Sequence, residues 1–252
     1  MSDATGNRPQ LWISAQDSHR GVVRIANEDA IMSSPEDGLW AVADGMGGHE
    51  AGDVASNMII DKLTSVTITS TSLDESIAMV KGCLFDANRS ILEYAENRLK
   101  GRTLGSTVLA LIIRNDAGAC LWAGDSRLYR YRDNYLQQIS RDHSHVEELV
   151  SEGIISREEA RHHPHANIIT RAIGTNRKID IDMLTFGIQQ DDIFLLCSDG
   201  LYSALSDDEI AGCLDGYRVN EAVRLLINKA LDNGAKDNVS VIVVKAEEQT
   251  SN

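Results

Sequence analysis

Two apolar segments of the sequence end in the same way, with an aspartate followed directly by a glycine. Leu39–Ala43 leads into Asp44-Gly45, and Ile193–Cys197 leads into Ser198-Asp199-Gly200. Such a corner places a carboxylate at the exit of a buried strand, and the glycine permits a sharp bend or the close approach of another backbone segment. Aspartate and glycine also favour ordinary turns, so one corner alone does not indicate chemistry.

Three more acidic corners occur along the chain, namely Asn27-Glu28-Asp29, Gly124-Asp125-Ser126-Arg127 and Lys236-Asp237-Asn238. If all these corners converge, carboxylates outnumber the cationic side chains, and like charges in a low dielectric repel each other strongly. A divalent cation held by oxygen ligands relieves that repulsion. The set therefore predicts metal-assisted chemistry.

Arg24 stands five residues before Asp29. A guanidinium group beside metal-binding acids suits a pair of phosphate oxygens, because its donors form a planar fork. The alternative is a structural ion pair with Glu28 or Asp29. The spacing alone leaves both interpretations open.

Asp44–His49 is a glycine-rich loop that precedes a predicted helix. Such a loop exposes carbonyl groups to a metal or N–H groups to an anion, and it lacks the G-K-[ST] ending of a P-loop. A second group of histidines, His162, His163 and His165, surrounds Pro164. These histidines could bind a metal or recognise a substrate, and a loop at the end of a helix is the competing interpretation.

The composition excludes several functional classes. The chain of 252 residues fits one large domain, and its net charge of −14 argues against nucleic-acid binding. Four cysteines without a C-x-x-C pair are typical of free thiols in a reducing cytosol. Residues 1–10 form a polar tail without the apolar core of a signal peptide, and the longest apolar run, Val108–Ile113, is too short to cross a bilayer. We expect a cytoplasmic protein with no membrane or nucleic-acid partner.

Apolar periodicity predicts strands that follow one another through short turns, with helices between groups of strands, which is typical of an α+β fold. The strand candidates are Leu11–Ala15, Asp29–Ser33, Leu39–Ala43, Ser106–Ile113, Cys120–Ala123, Arg127–Arg132, Tyr135–Ile139, Met183–Phe186, Asp192–Cys197 and Ser240–Ala246. The helix candidates are Ala51–Leu63, Leu73–Leu99 and Glu221–Leu231. Capping boxes are predicted at Ser72/Glu75, Ser156/Glu159 and Ser206/Glu209.

Taken in order, these motifs resemble those of the bacterial metal-dependent serine/threonine protein phosphatases of type 2C, the PPM family. The similarity extends from about Leu11 to Val244. The matching segments are Gly21–Ala30, Asp44–His49, Leu104–Thr107, Gly124–Arg127, Asp142–Ser144, His163–Gly174, Ser198–Leu201 and Asp237–Ser240.

The resemblance implies a four-layer αββα sandwich, in which two packed antiparallel β-sheets are flanked by helices. One phosphatase domain would span residues 11–247, with a flap subdomain at about 142–174. The implied activity is metal-dependent hydrolysis of phosphoserine and phosphothreonine in phosphorylated proteins, including those modified by a cognate serine/threonine kinase. The implied oligomeric state is a monomer.

The resemblance also implies a two-metal centre with Mn²⁺ or Mg²⁺. Asp44 would bridge both ions, and a water between them would attack phosphorus in line. Asp199 and Asp237 would bind one ion. The carbonyl group of Gly45 would bind the other.

Further site roles follow from the same motifs. Glu28 and Asp29 would hold metal-bound waters or lie just behind them. Asp125, together with Asp199, would bind a weaker third ion. Arg24 would bind the phosphate group, and Asn238 would orient its neighbours.

The sequence departs from the eukaryotic members of the family at one position. Those members place a histidine directly after the Asp-Gly pair, where this chain has Met46. The acid that protonates the leaving group is therefore unassigned, and a metal-bound water and His49 are the candidates. Two alternative functions are a pseudophosphatase scaffold or sensor, and a metal-dependent hydrolase of small phosphoesters. A decayed relative tends to lose metal ligands, whereas every matched acid is present here.

Overall fold

A computed structural model describes residues 11–47, 52–66, 68, 70–161 and 163–246. The strands are β1 (Trp12–His19), β2 (Asp29–Ser34), β3 (Leu39–Gly47), β4 (Leu104–Ser106), β5 (Val108–Arg114), β6 (Ala117–Ala123), β7 (Arg127–Arg132), β8 (Tyr135–Gln138), β9 (Asp182–Gly187), β10 (Ile193–Cys197) and β11 (Val239–Ala246). The helices are α1 (Gly52–Thr64), α2 (Leu73–Arg98), α3 (His145–Ser151), α4 (Arg157–Arg161), α5 (Asp199–Ala204), α6 (Asp207–Leu214) and α7 (Val219–Asp232). The predicted tail of residues 1–10, together with His49 and His162, lies outside the described residues.

The strands form two antiparallel sheets that pack face to face. The first sheet has the order β1-β11-β10-β7-β8, and the second has the order β2-β3-β5-β6-β9, with β4 paired to β3. Helices α1 and α2 cover the outer face of the second sheet, and α5, α6 and α7 cover that of the first. The predicted α+β sandwich of four layers is confirmed.

Each central strand is buried on both faces, which accounts for the continuous apolar runs in the sequence. In β3, Leu39 and Ala41 pack against the helices, whereas Trp40 and Val42 point into the layer between the sheets. Successive side chains of a strand point to opposite faces, so one strand serves two apolar layers. Among the described residues, no helix combines the length and the apolar character needed to cross a membrane.

Two local predictions were wrong in detail. The predicted strand Ser106–Ile113 is broken at Thr107, whose backbone N–H donates to the carbonyl oxygen of Asp44 at 2.8 Å. The capping box at Ser72 is incomplete, because the carboxylate of Glu75 accepts a hydrogen bond from the Ser70 hydroxyl and not from the Ser72 backbone. The boxes that begin at Ser156 and Ser206 are complete.

Candidate active site

Strand register brings the acidic corners to one edge of the sandwich. Asp29, the first residue of β2, lies directly opposite Asp44 on β3. Asp199 follows β10 and Asp237 precedes β11, and these two strands are antiparallel neighbours. Asp125 stands just before β7, the other neighbour of β10. The convergence predicted from the sequence is therefore present.

Two of the glycines that follow the acids are required by close backbone contacts. A Cβ atom at Gly45 would lie 2.1 Å from the carbonyl oxygen of Gly52, and one at Gly200 would lie 2.0 Å from that of Asn238. Any larger residue would force these segments apart. The glycines thus allow the start of α1 and the turn before β11 to pack against the acidic corners.

The carboxylates raise one another's pKa values. Burial is the main cause for Asp44 and Asp199, and the charges of the neighbouring acids are the next. Burial likewise raises the pKa of Asp29 and of Asp125 to about 6. Since each carboxylate disfavours the ionised form of the others, the edge favours the binding of positive charge.

Arg24 lies at this edge, where it pairs with neither Glu28 nor Asp29. Its guanidinium donates to the Oδ2 atom of Asp237 at 2.6 Å, and its side chain remains 51% exposed. The hydrogen bond to Asp237 is the main reason that the pKa of Arg24 is raised. The alternative considered from the sequence, an ion pair with Glu28 or Asp29, is replaced by contact with an acid more than two hundred residues away in sequence.

Asn238 is buried and uses both ends of its amide. Its Oδ1 atom accepts from the backbone N–H of Glu28 at 2.8 Å, and its Nδ2 atom donates to the carbonyl oxygens of Arg20 and Ala26 at 3.0 and 2.9 Å. The side chain therefore ties the loop before β2 to the turn before β11. Glu28 in turn accepts from the backbone N–H of Gly52 at 3.2 Å, which places its carboxylate at the start of α1.

The surroundings of Asp125 contain groups that the sequence interpretation missed. The Tyr202 hydroxyl donates to the carbonyl oxygen of Asp125 at 3.0 Å. The Arg127 guanidinium lies over the Tyr202 ring in a cation–π contact, 3.5 Å from the ring centroid. Arg127 also forms a bidentate ion pair with Asp142, in which Nε donates to Oδ1 at 3.0 Å and Nη2 donates to Oδ2 at 2.7 Å. Arg127 and Asp142 lie within recognised motifs, whereas Tyr202 follows its motif by one residue and carries no chemical signal of its own.

A cavity of about 680 Å³ opens beside the acids. The lining includes Asp125, Asp199 and Asp237 on one side, and residues of α3, α4, α5 and the turn before β11 elsewhere. The segment 142–174, predicted to be a flap, leaves the sandwich after β8 and contains both α3 and α4. Its two ends are paired, since the N–H of Thr170 donates to the carbonyl oxygen of His143 at 2.8 Å.

The donor set of this edge fits a hard divalent cation. The Oδ1 atoms of Asp29, Asp125 and Asp199 are buried and have no hydrogen-bond partner within the part of the chain that the structure describes. Oxygen-only donors of this kind suit Mg²⁺ and Mn²⁺. No three acidic, histidine or cysteine side chains of the described residues form a closed group that could hold an ion unaided.

The fold and the acidic edge define a protein that can bind divalent cations beside an open cavity, and comparison with known proteins shows its class. Residues 15–240 match the protein phosphatase 2C family, and the chain belongs to that family. It is a serine/threonine protein phosphatase.

One curated relative is the serine/threonine phosphatase stp of Listeria welshimeri, which is 36% identical over 233 residues, covering 90% of this chain and 92% of that protein. Among solved structures, PppA, described as a key regulatory component of T6SS in Pseudomonas aeruginosa, is 40% identical with a TM-score of 0.87, covering 95% of this chain and 99% of that one. The catalytic domain of PstP in complex with 2 manganese ions is 34% identical with a TM-score of 0.85, covering 94% of this chain and 99% of that one.

Proposed function

We propose that this phosphatase hydrolyses phosphoserine and phosphothreonine in protein substrates with two Mn²⁺ or Mg²⁺ ions held at the acidic edge. The observation that carries the proposal is the convergence of Asp29, Asp44, Asp125, Asp199 and Asp237 beside an open cavity. Repulsion among buried carboxylates makes cation binding favourable there. A neighbouring guanidinium then supplies the charge that attracts a phosphate group.

The proposed roles of the ligands are those that the resemblance to the family implies. Asp44 would hold both ions, whereas Asp199 and Asp237 would hold one and the carbonyl oxygen of Gly45 the other. In support, burial and the neighbouring carboxylates raise the pKa of Asp44.

The remaining acids would act one step further out. Glu28 and Asp29 would hold ordered water near the ions, and Asp125 with Asp199 would bind a weaker third ion. In support, Asp125 is the charge that raises the pKa of Asp199 most after burial. Asn238 would hold Glu28 in place through the hydrogen bond to its backbone.

Chemistry at phosphorus divides between the ions and the protein. When bound, the ions supply Lewis-acid stabilisation of the phosphoryl oxygens and lower the pKa of a water nucleophile. Arg24 would orient the phosphate group by paired hydrogen bonds and stabilise its charge. The hydroxyl oxygen of Thr107 accepts from the backbone N–H of Asp44 at 3.0 Å. This hydrogen bond would keep Asp44 in place during the reaction.

The proposed partners are phosphorylated proteins, including the substrates of a cognate serine/threonine kinase. The phosphatase would act on them as a monomer in the cytoplasm. The cavity beside the acids is large enough for several residues of an extended peptide. All four cysteines carry free thiols, which is typical of a reducing compartment.

The test is turnover of a phosphothreonine peptide, a chromogenic aryl phosphate and a nucleotide before and after chelation. We expect chelation to abolish turnover and Mn²⁺ or Mg²⁺ to restore it, with the peptide preferred over the nucleotide. Full activity in chelator would refute the two-metal hypothesis, and preference for the nucleotide would favour the small-phosphoester alternative.

Asp44→Asn provides the matched variant, because it removes a ligand charge with little change of volume. We expect it to reduce turnover by at least about a hundredfold at saturating metal, because even residues that only orient metal ligands change activity by about 10- to 100-fold when they are replaced. Asp86→Asn, on the exposed surface of α2, is the control and should keep wild-type turnover.

A further inference from the structure

Asp29 is held by two serine hydroxyl groups that stand next to the metal-binding candidates in sequence. Ser198 and Ser240 both donate to the same atom, Asp29 Oδ2, at 2.7 and 2.6 Å. Both serines are fully buried, and Asp29 is 8% exposed. The other carboxylate oxygen, Oδ1, is buried and has no partner among the described residues. Within the part of the chain that the structure describes, one carboxylate oxygen therefore accepts two hydrogen bonds and the other accepts none.

The hydrogen bonds around these serines run in one direction. An ionised carboxylate only accepts, so the single proton of Ser240 points at Asp29. The Ser18 hydroxyl, 2.7 Å from that of Ser240, must then be the donor in that pair. Ser18 in turn accepts from the side-chain amide of Asn27 at 2.7 Å. Asn27 thus begins a chain of donors that ends at Asp29 Oδ2.

Ser198 is fixed in the same way. Its oxygen accepts from the backbone N–H of Ser240 at 3.0 Å. Of the two acceptors within reach of its proton, Asp29 Oδ2 at 2.7 Å is much nearer than the carbonyl oxygen of Asn238 at 3.5 Å. Ser198 directly follows β10 and Ser240 lies on β11, its neighbour in the first sheet, while Asp29 begins β2 of the second sheet. The arrangement joins the two sheets at the edge that carries the acids.

We propose that Ser198 and Ser240 are positioning residues of the metal centre, which hold Asp29 so that its Oδ1 atom is kept free for the ions and their water. The inference rests on the proposed function of this edge. A carboxylate with one saturated oxygen cannot rotate without losing two hydrogen bonds in a buried place, where an unmade hydrogen bond is costly. Residues that orient metal-binding groups commonly set the metal affinity.

The test is the affinity of the metal-free protein for Mn²⁺, measured by calorimetry or by the electron paramagnetic resonance of free Mn²⁺, without substrate. We expect Ser240→Ala to weaken binding by about 10- to 100-fold. Ser240→Thr keeps the hydroxyl and should bind as the wild type does. Saturating Mn²⁺ should restore much of the turnover of Ser240→Ala on an aryl phosphate.

Ser76→Ala is the matched control. Ser76 is also fully buried and donates to the carbonyl oxygen of Ser72 at 2.8 Å within α2, far in sequence from the acids. It should lose stability without any change in Mn²⁺ affinity. Equal Mn²⁺ affinities for wild type and Ser240→Ala would overturn the proposal, as would a loss in Ser240→Thr as large as that in Ser240→Ala.

A variant that fails to fold does not stop the test. If Ser240→Ala is unfolded, Ser198→Ala decides, since the Ser198 hydroxyl donates to the same atom, Asp29 Oδ2, and Ser240 still holds that atom in the variant. We then expect a smaller, severalfold loss of Mn²⁺ affinity, and no loss would overturn the proposal. A wild type that binds Mn²⁺ but hydrolyses no phosphopeptide would refute the proposed function and leave the role of the serines standing.

Discussion

Arg24 contacts one metal-binding candidate, Asp237, and half of its side chain is exposed. Its ion pair with Asp237 is too exposed to contribute more than about 1 kcal/mol to stability. A charged hydrogen bond to a bound phosphate group contributes about 1.5–3 kcal/mol. The larger consequence of losing the guanidinium should therefore concern the substrate and not the fold.

We expect Arg24→Ala to lower kcat/KM for a phosphopeptide by about ten- to a hundredfold, mainly through a higher KM. Arg24→Lys should recover only part of the loss, because an ammonium group cannot form the planar fork. Steady-state kinetics and thermal melting on the same preparations measure both effects.

Arg20→Ala is the control for this experiment, since Arg20 lies on the same loop and its side chain is exposed. It removes an equal charge without touching Asp237. A lower melting temperature with unchanged kinetics in Arg24→Ala would mean that the arginine is structural.

At the level of elements, the base of the segment 142–174 is joined to the Asp125 corner by His143. Its Nδ1 atom accepts from the N–H of Gly124 at 3.2 Å, so the proton of the neutral ring is on Nε2, which lies 3.2 Å from Asp182. The ring stacks on Trp122 with centroids 6.0 Å apart. Burial lowers the pKa of His143, and Arg171 lowers it further, while Asp182 and Asp142 oppose the change.

This arrangement predicts a pH dependence with a definite sign. Because the folded-state pKa lies below the ordinary value of 6.5, the unfolded chain takes up the proton first. The contribution of His143 to the free energy of unfolding is therefore fully present above about pH 6.5. It is lost as the pH falls through the lowered pKa of this histidine.

His143→Gln has no group that titrates in this range. We expect the melting temperature of the wild type to fall relative to that of His143→Gln between about pH 7.5 and about pH 5.5. Parallel melting curves at every pH would contradict a neutral, buried His143.

The same segment lines the cavity beside the acids through α3 and α4. If it selects substrates, filling the cavity should harm large substrates more than small ones. We expect Val150→Trp to lower kcat/KM for a phosphoprotein by about tenfold, which is the cost of losing one contact between a protein and its substrate. The effect on an aryl phosphate should be small.

Glu148→Trp is the matched control, because Glu148 lies on the same helix but is exposed and does not line the cavity. It should leave both rates unchanged. Equal losses on both substrates in Val150→Trp would argue against substrate selection by this segment.

For the whole molecule, three apolar layers hold the sandwich together, and the acidic edge works against them. Burial and mutual repulsion raise the pKa values of four carboxylates there, Asp29, Asp44, Asp125 and Asp199. A cation that binds only the folded state removes this penalty and adds its own binding free energy.

Mn²⁺ at about 100 times its Kd should therefore stabilise the protein by about 2.7 kcal/mol, which corresponds to a rise in Tm of about 5–10 °C for a chain of this size. Melting in chelator and in Mn²⁺ measures the shift. Asp44→Asn should show a much smaller shift and should melt in chelator no lower than the wild type, because a repelling charge is gone. An equal Tm with and without Mn²⁺ would show that the ion does not bind the folded state at this edge.

The sequence alone was sufficient for the fold class, the family and the convergence of the acidic corners. Strands buried on both faces leave long apolar runs, and five acidic corners beside such runs in one chain indicate a shared cation site. The register and the hydrogen-bond partners could not be predicted in this way, because they join residues far apart in the chain. The partner of Arg24 and the role of Tyr202 both belong to this second group.

The tertiary structure alone decided how the acids are held. Ser198 and Ser240 look like ordinary small polar residues beside their motifs, and Ser18 carries no signal at all. Only the packing of the first sheet against the second brings the two serines to one oxygen of Asp29 and leaves the other without a partner among the described residues. The physical reason is that local sequence specifies backbone propensity and burial, whereas the direction of a buried hydrogen bond depends on every group that packs around it.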